Sequence, residues 1–303
     1  MKKISYFQKK KLVFFAFVLP GAIFMAVMII YPILYNVLMS FKNVDIMNFA
    51  TGDSKFVGLE MYKEILSDEV TGIALKNTLM FTFWCLLFQF PLGFALALFF
   101  SQKFKLAGFL RGINVIAWMI PMVAVAGVFK YMFNSDVGIV NQLLMNLHVI
   151  SKPIEWLAHG DTAMTSIVVA NIWKGVPFNM ILLATALTTL PEDIFESASI
   201  DGATRVQQFF YITVPLLKPA IISVLTLGFI YTFKVFDLVY VMTGGGPGSS
   251  TEMLSTLAYR YSFGEYNFSK GSAIANVLFV LLMLVGLIYI RIVLKEDKEE
   301  GRV

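Results

Sequence analysis

The chain reads as an all-α polytopic membrane protein with six transmembrane helices and both termini cytoplasmic. Three observations carry that reading. Of the 303 residues, 58% are hydrophobic and only 15% charged, with a mean hydropathy of +0.74; this is too apolar for a soluble core and far from disorder. Six stretches reach the length of about 20 mostly apolar residues that a bilayer demands. Lys and Arg are distributed unevenly between the connecting segments, which sets orientation.

The predicted spans run over about 12–39, 75–100, 107–131, 163–188, 219–242 and 272–294. No segment of separate-domain size is left between them, so residues 1–303 form one membrane domain. The first span follows a basic stretch, as a signal peptide does. Its apolar run is longer than an h-region and holds Pro20 and Pro32, so it reads as an uncleaved span. The second holds Pro91, Gly93 and Cys85, the only cysteine, which excludes an intrachain disulfide. Pro121 and Gly127 interrupt the third, and Gly175 and Pro177 the fourth. Each proline frees a carbonyl that protein or a wet cavity must satisfy, so breakers in four of six spans suit a bundle that opens a pathway, although static bundles carry them too.

The outer segment 132–162 has an apolar run from Val140 to Val149 that suits a short interfacial helix, then Pro153 and Trp156, which suit a headgroup-level anchor. His148 and His159, the only histidines, are eleven apart with no cysteine nearby and read as surface residues rather than metal ligands. The end from Lys295 to Val303 is a mixed-charge, solvated tail.

Lys2, Lys3, Lys9, Lys10, Lys11, Lys103, Lys105, Arg111, Arg205, Lys218, Arg291, Lys295, Lys298 and Arg302 fall on one side. The other side holds only Lys42, Lys55, Lys63, Lys152, Arg260 and Lys270, although its loops are longer. The richer side is cytoplasmic. These cations account for most of the net charge of +4. They flank membrane helices, where they set topology and meet anionic lipid, and do not mark a nucleic-acid surface.

Residues 192–219 form a polar loop on that inner side, several times longer than a connection needs. It reads as a short helix (Ile194 to Ile200), a turn at Gly202, a second helix (Thr204 to Tyr211) and a stop at Pro215. Small side chains at Ser197, Ala198 and Ser199 let another surface approach the backbone. The run Glu196, Ser197, Ala198, Gly202, Ile212, Pro215 resembles the EAA loop of ABC-importer permeases, the helix–turn–helix that docks into the ATPase subunit. Ser197 stands where the family has Ala and is equally small. The resemblance implies a type I ABC importer permease and a coupling surface of Glu196, Ser197, Ala198, Asp201, Gly202, Ala203, Ile212 and Pro215.

Two further motifs follow the family's order. Asn171-Ile-Trp173-Lys174-Gly175-Val-Pro177-Phe178-Asn179 sets two rings about a Gly and a Pro; aromatic faces pack on sugar C–H faces, while Asn and Lys can bond hydroxyls. Core packing with a proline kink is the plain alternative. The run resembles the Trp-x-Gly-x-Pro-aromatic segment of maltose-type permeases. That resemblance implies a sugar path of Trp173, Gly175, Phe178 and Asn179, joined on the next helix by Gly228, Thr232 and Val235. Amide side chains of that site are replaced here by Thr232 and Val235, so the same sugar is not implied. Thr243 to Thr251 resembles the family's outer Gly-Gly-Pro loop; no G-x-x-x-x-G-K-[ST] pattern accompanies it, which excludes a phosphate cradle.

Asp237 is the one acidic residue inside a predicted span, with Lys234 a helical turn away on the same face. The pair is either a polar lining of the path or a structural ion pair. The resemblance to binding-protein-dependent sugar permeases implies a non-catalytic carbohydrate-import subunit of the bacterial cytoplasmic membrane. Its partners would be a second homologous permease, two ATPase subunits, an extracellular solute-binding protein and membrane lipid, with no nucleic acid. No cofactor would be bound by this chain; ATP and Mg would sit in the partner ATPase. Glycerol-phosphate or sugar-acid cargo stays open within the family. An ion-coupled secondary transporter and a membrane-embedded enzyme are the readings from other classes. The first would need more buried acids, and the second a metal cluster or paired carboxylate that the spans do not offer.

Overall fold

Long helices make up the computed structural model, which describes residues 6–102 and 104–299, with side chains for 14–102 and 104–295. Lys2, Lys3, Lys103 and Arg302, and the side chains of Lys9–Lys11 and Lys298, which enter the charge comparison, lie outside these, as does most of the expected solvated tail. In order come α1 (Tyr6–Met25), α2 (Tyr31–Ser40), α3 (Glu69–Ser101), α4 (Ala107–Met119), α5 (Met122–Met132) and α6 (Ile139–Asn146). Then follow α7 (Gly160–Leu187), α8 (Glu192–Ile200), α9 (Arg205–Gln208), α10 (Lys218–Phe233), α11 (Asp237–Met242) and α12 (Phe268–Glu299). Among the described residues the only β pairing is two isolated bridges.

Among the described residues five stretches are long and apolar enough to cross a membrane, or six if α4 and α5 are one broken span. The third predicted span is therefore not a rod. It turns by 93° between Met119 and Met122, where Pro121 offers no N–H to continue the ladder. The other prolines break less than the sequence predicts. Pro20, Pro91 and Pro177 all lie inside continuous helices. Pro32 and Pro215 each follow a π-helical turn, in which Tyr31 N–H bonds to Ala26 O and Val214 N–H to Phe209 O. Widening the turn moves the carbonyl that a proline ring would otherwise strike. Pro215 thus sits within a helical turn, Val214–Leu216, and is not the predicted stop.

The chain divides into two compact units, residues 1–67 with 258–276 and residues 68–257 with 277–303. In the first, Asn276 Nδ2 donates to Ser40 Oγ and Tyr62 Oη at 3.0 and 3.1 Å, and Asn36 Nδ2 donates to Asn276 Oδ1 at 2.7 Å. Val44 N–H donates to Ser269 Oγ at 2.6 Å, and Lys270 pairs with Glu64 at 2.8 Å. Buried polar groups are thereby satisfied across segments far apart in sequence.

The second unit is built on α3 against α7. Lipid gives apolar side chains no reason to cluster, so close backbone approach and buried polar bonds must hold the pair. Both are present. A Cβ on Gly175 would come within 2.4 Å of the Gln89 amide carbon, and one on Gly93 within 2.5 Å of Asn179 Cβ. Gln89, itself buried, donates to Asn171 O at 2.8 Å. Phe94, Phe100, Met180, Leu183, Leu217 and Val224 pack into a cluster that also holds Phe209. Trp156, expected to anchor at headgroup level, is half-buried. Asn141, only 1% exposed, accepts from Trp156 Nε1 at 2.9 Å, and the Trp156 ring lies 5.6 Å from Phe133. A buried amide draws the indole inward.

Candidate coupling and transport sites

Helix α8 ends as its sequence demands. Asp201 caps it, Gly202 takes φ +83°, Gly202 N–H donates to Ser199 O at 3.1 Å and Ala203 N–H to Ala198 O at 2.9 Å. This is the paired bonding of a Schellman motif, in which the left-handed residue is normally glycine. Thr204 then caps α9: its Oγ1 accepts from Gln207 N–H at 3.3 Å, while Gln207 Oε1 accepts from Thr204 N–H at 2.8 Å. Gln208 ties the two helices by donating to Ser199 Oγ at 2.9 Å. The elbow is rigid through its own bonds.

Nothing lies within 4 Å of a Cβ placed on Gly202, so the glycine answers a backbone requirement and faces open space. Asp201, Gly202, Ala203, Tyr211 and Ile212 line a shallow hollow of about 300 Å³. Glu196, Ser197 and Pro215 are exposed, and Ala198, Ala203 and Ile212 half-buried. Ile200, 87% exposed, and Tyr211 project from the elbow. Phe209 points the other way, its ring 5.4 Å from that of Phe94 on α3.

The candidate path residues divide. Trp173, 44% exposed, packs edge-on to Phe129 at 5.6 Å and makes no ring contact with Phe178. Helix α7 continues unbroken through Pro177, and the two rings, five residues apart on it, turn to different neighbours. Phe178 instead meets Trp118 at 5.8 Å and Tyr231 at 5.5 Å, and Lys234 Nζ lies 5.4 Å over the Tyr231 ring. Trp118 and Tyr231 are exposed. This cluster of rings and an ammonium joins α4, α7 and α10, and sequence reasoning missed two of its members. A signal existed for Tyr231, three residues before Lys234 in the same span; Trp118 gave none.

Gly175 is spent on the approach to Gln89. Asn179 is buried, donating to Gly175 O at 3.0 Å, and Gly228, Thr232 and Val235 are buried as well. Lys174, read as a donor to hydroxyls, is only 9% exposed and is occupied: Nζ donates to Ala117 O at 3.3 Å and to Trp118 O and Ile120 O at 2.5 Å. Its ammonium holds the carbonyls left open where α4 breaks before Pro121. The expected Lys234–Asp237 pair is corrected too. Helix α10 ends at Phe233 and α11 begins at Asp237, so the two residues flank a break, and among the described residues no ion pair joins them. Ser255 Oγ donates to Val235 O within that break. No group of three or more His, Cys, Asp or Glu able to hold a metal occurs among the described residues.

An all-helical, multi-pass membrane subunit with an exposed helix–turn–helix is the class that these features define. The chain belongs to the binding-protein-dependent transport system inner membrane component family, whose model matches residues 89–295. It is 37% identical over 241 residues to the trehalose/maltose transport system permease protein of Thermococcus litoralis, covering 79% of this chain and 80% of that protein. It is 31% identical over 278 residues to the sulfoquinovosyl glycerol transport system permease protein of Agrobacterium fabrum, covering 92% and 89%. A chain of the bacterial alginate ABC transporter, crystallised with an alginate pentasaccharide-bound periplasmic protein, superposes with a TM-score of 0.79 at 23% identity. That match covers 93% of each chain and shows a likeness of fold. The chain is a non-catalytic ABC-importer permease subunit, a multi-pass protein of the inner membrane.

Proposed function

We propose that the cargo is a carbohydrate and that this chain, as one membrane domain of six spans with both termini cytoplasmic, is half of the pathway. It pairs with a second homologous permease, two ATPase subunits that hold ATP and Mg, and an extracellular solute-binding protein. The relatives named for trehalose/maltose and sulfoquinovosyl glycerol support the cargo class, as do the exposed rings of Trp118 and Tyr231 on either side of the half-buried Phe178, surfaces on which sugar C–H faces stack. The observation that carries the coupling role is the α8–α9 elbow, tied by its own hydrogen bonds yet leaving Ile200 and Tyr211 exposed. Closure of the ATPases on ATP would pull this elbow. Phe209 would pass the displacement to Phe94 on α3, and through the same cluster to Met180 and Leu183 on α7, tilting the helices so that the path alternates between the two sides.

An ATPase that copurifies with this chain and is stimulated by a carbohydrate-loaded binding protein is the expected result; copurification without stimulation by any carbohydrate would remove the cargo class. Topology is tested in the same cells with Cys85 replaced by Ala. Cysteines at Ser54, Leu147 and Ser249 should react with an impermeant thiol reagent from outside, and one at Thr204 should not. Leu147 is chosen because it is well exposed, unlike the buried Asn141.

The ring cluster makes a separate prediction. Tyr231→Ala should lower uptake per assembled complex by roughly tenfold, the equivalent of about 1.4 kcal/mol of lost stacking, and should change the ratio between a small and a large carbohydrate. Equal loss for both would make Tyr231 a packing residue.

A further inference from the structure

A wide concavity of the second unit lies outside the elbow and the ring cluster. It is a groove of about 720 Å³ between α3 and α7, within the size range of small-molecule sites. One wall is a single stripe of α3, Met80, Trp84, Phe88 and Leu92, spaced by four. The Trp84 and Phe88 rings stack at 6.3 Å with 17° between planes. Val169 and Ile172 of α7 face them. From Met80 to Leu92 the stripe measures about 18 Å at a helical rise of 1.5 Å per residue, close to one leaflet of a hydrocarbon core about 30 Å thick. Only one end is polar. There Lys76 on α3 and Asp161 on α7 stand at the mouth, both exposed, and neither is paired with the other or with another side chain among the described residues.

A zwitterion fits this arrangement. Two unpaired opposite charges on the two rims would take a phosphate at Lys76 and an ammonium at Asp161, while the acyl chain lies along the aromatic stripe. A helix of a partner protein would bury the stripe equally well, but would bring its backbone end, with no matched charge pair, to the mouth. We propose that this groove is a specific site for a zwitterionic phospholipid of the phosphatidylethanolamine type. Its leaflet, the outer one, follows from the orientation proposed above; the binding itself does not depend on that orientation.

The test uses the assembled transporter in mild detergent, titrated with dioleoyl phosphatidylethanolamine or dioleoyl phosphatidylglycerol and followed by native mass spectrometry. One phosphatidylethanolamine should be retained per copy of this chain, in preference to phosphatidylglycerol. Val169→Trp, which fills the groove, should reduce retention by roughly tenfold, and so should the double variant Lys76→Gln with Asp161→Asn, whose exposed positions leave the helices intact. Retention unchanged in both variants would overturn the site. Equal retention of phosphatidylglycerol would overturn the zwitterion assignment. A disulfide from Val169→Cys to a cysteine scanned along the partner permease would show that the groove is a subunit contact instead.

Discussion

Gly202→Asp should abolish most carbohydrate uptake, by at least roughly tenfold, while leaving membrane insertion and the amount of chain intact. Two separate effects meet at this position. The turn requires φ +83°, which costs a residue with a Cβ about 1–2 kcal/mol, less for Asp and Asn than for others. A carboxylate would also enter the open space in front of the elbow, where nothing of this chain lies within 4 Å and where the proposed ATPase surface must sit. Gly202→Asn separates the two, since it tolerates the left-handed conformation and adds nearly the same volume without charge. Both variants should lose substrate-stimulated ATP hydrolysis per copurified complex. If Asn retains full coupling, Gly202 serves only the turn, and the docking face lies elsewhere on α8 and α9.

That distinction also marks what the sequence can and cannot disclose. The α8 turn was legible because its cause is local: a small-residue helix, a glycine, then Thr204 and Gln207 three apart, each signal within a few residues of the group it satisfies. The predicted stop at Pro215 failed because a π turn just upstream accommodates the ring, and nothing in the Phe209–Thr213 composition announces a widened turn. The break between Lys234 and Asp237 has no Gly or Pro to mark it. Its open carbonyl on Val235 is met by Ser255, twenty residues away. Nothing in the run Val140–Val149 tells that Asn141 is buried and binds Ile154 and Trp156. Partners thirteen to twenty residues away decide the last two, and a single sequence does not display them. Of the ring cluster, the sequence offered Phe178 on α7 and Lys234 at the end of α10. It did not offer the neighbours of those rings, because helical phase turns Trp173 to Phe129 and Phe178 to Tyr231.

Lys174 is where the second large effect is expected. An ammonium in a membrane span usually implies a carboxylate partner, yet this one contacts three carbonyls, those of Ala117, Trp118 and Ile120. Those carbonyls are open because α4 stops at Met119, and Pro121 cannot donate back to Ala117. Lys174→Met keeps the length of the side chain and its packing but strands all three acceptors, at about 1–3 kcal/mol for each that finds no other donor. The assembled complex should therefore melt several degrees lower and accumulate to a lower level. Lys174→Gln, which retains two N–H donors without the charge, should recover part of that loss. The role reaches further than stability, because Trp118 owns one of the three carbonyls and its ring packs on Phe178. Loosening the break moves that ring. Per assembled complex, Lys174→Met should shift the ratio of large to small carbohydrate uptake in the same direction as Trp118→Ala. The double variant should shift it no further than Trp118→Ala alone, as coupled positions do. If Lys174→Met lowers uptake only in proportion to the complex remaining, the lysine caps a helix end and does not position the path.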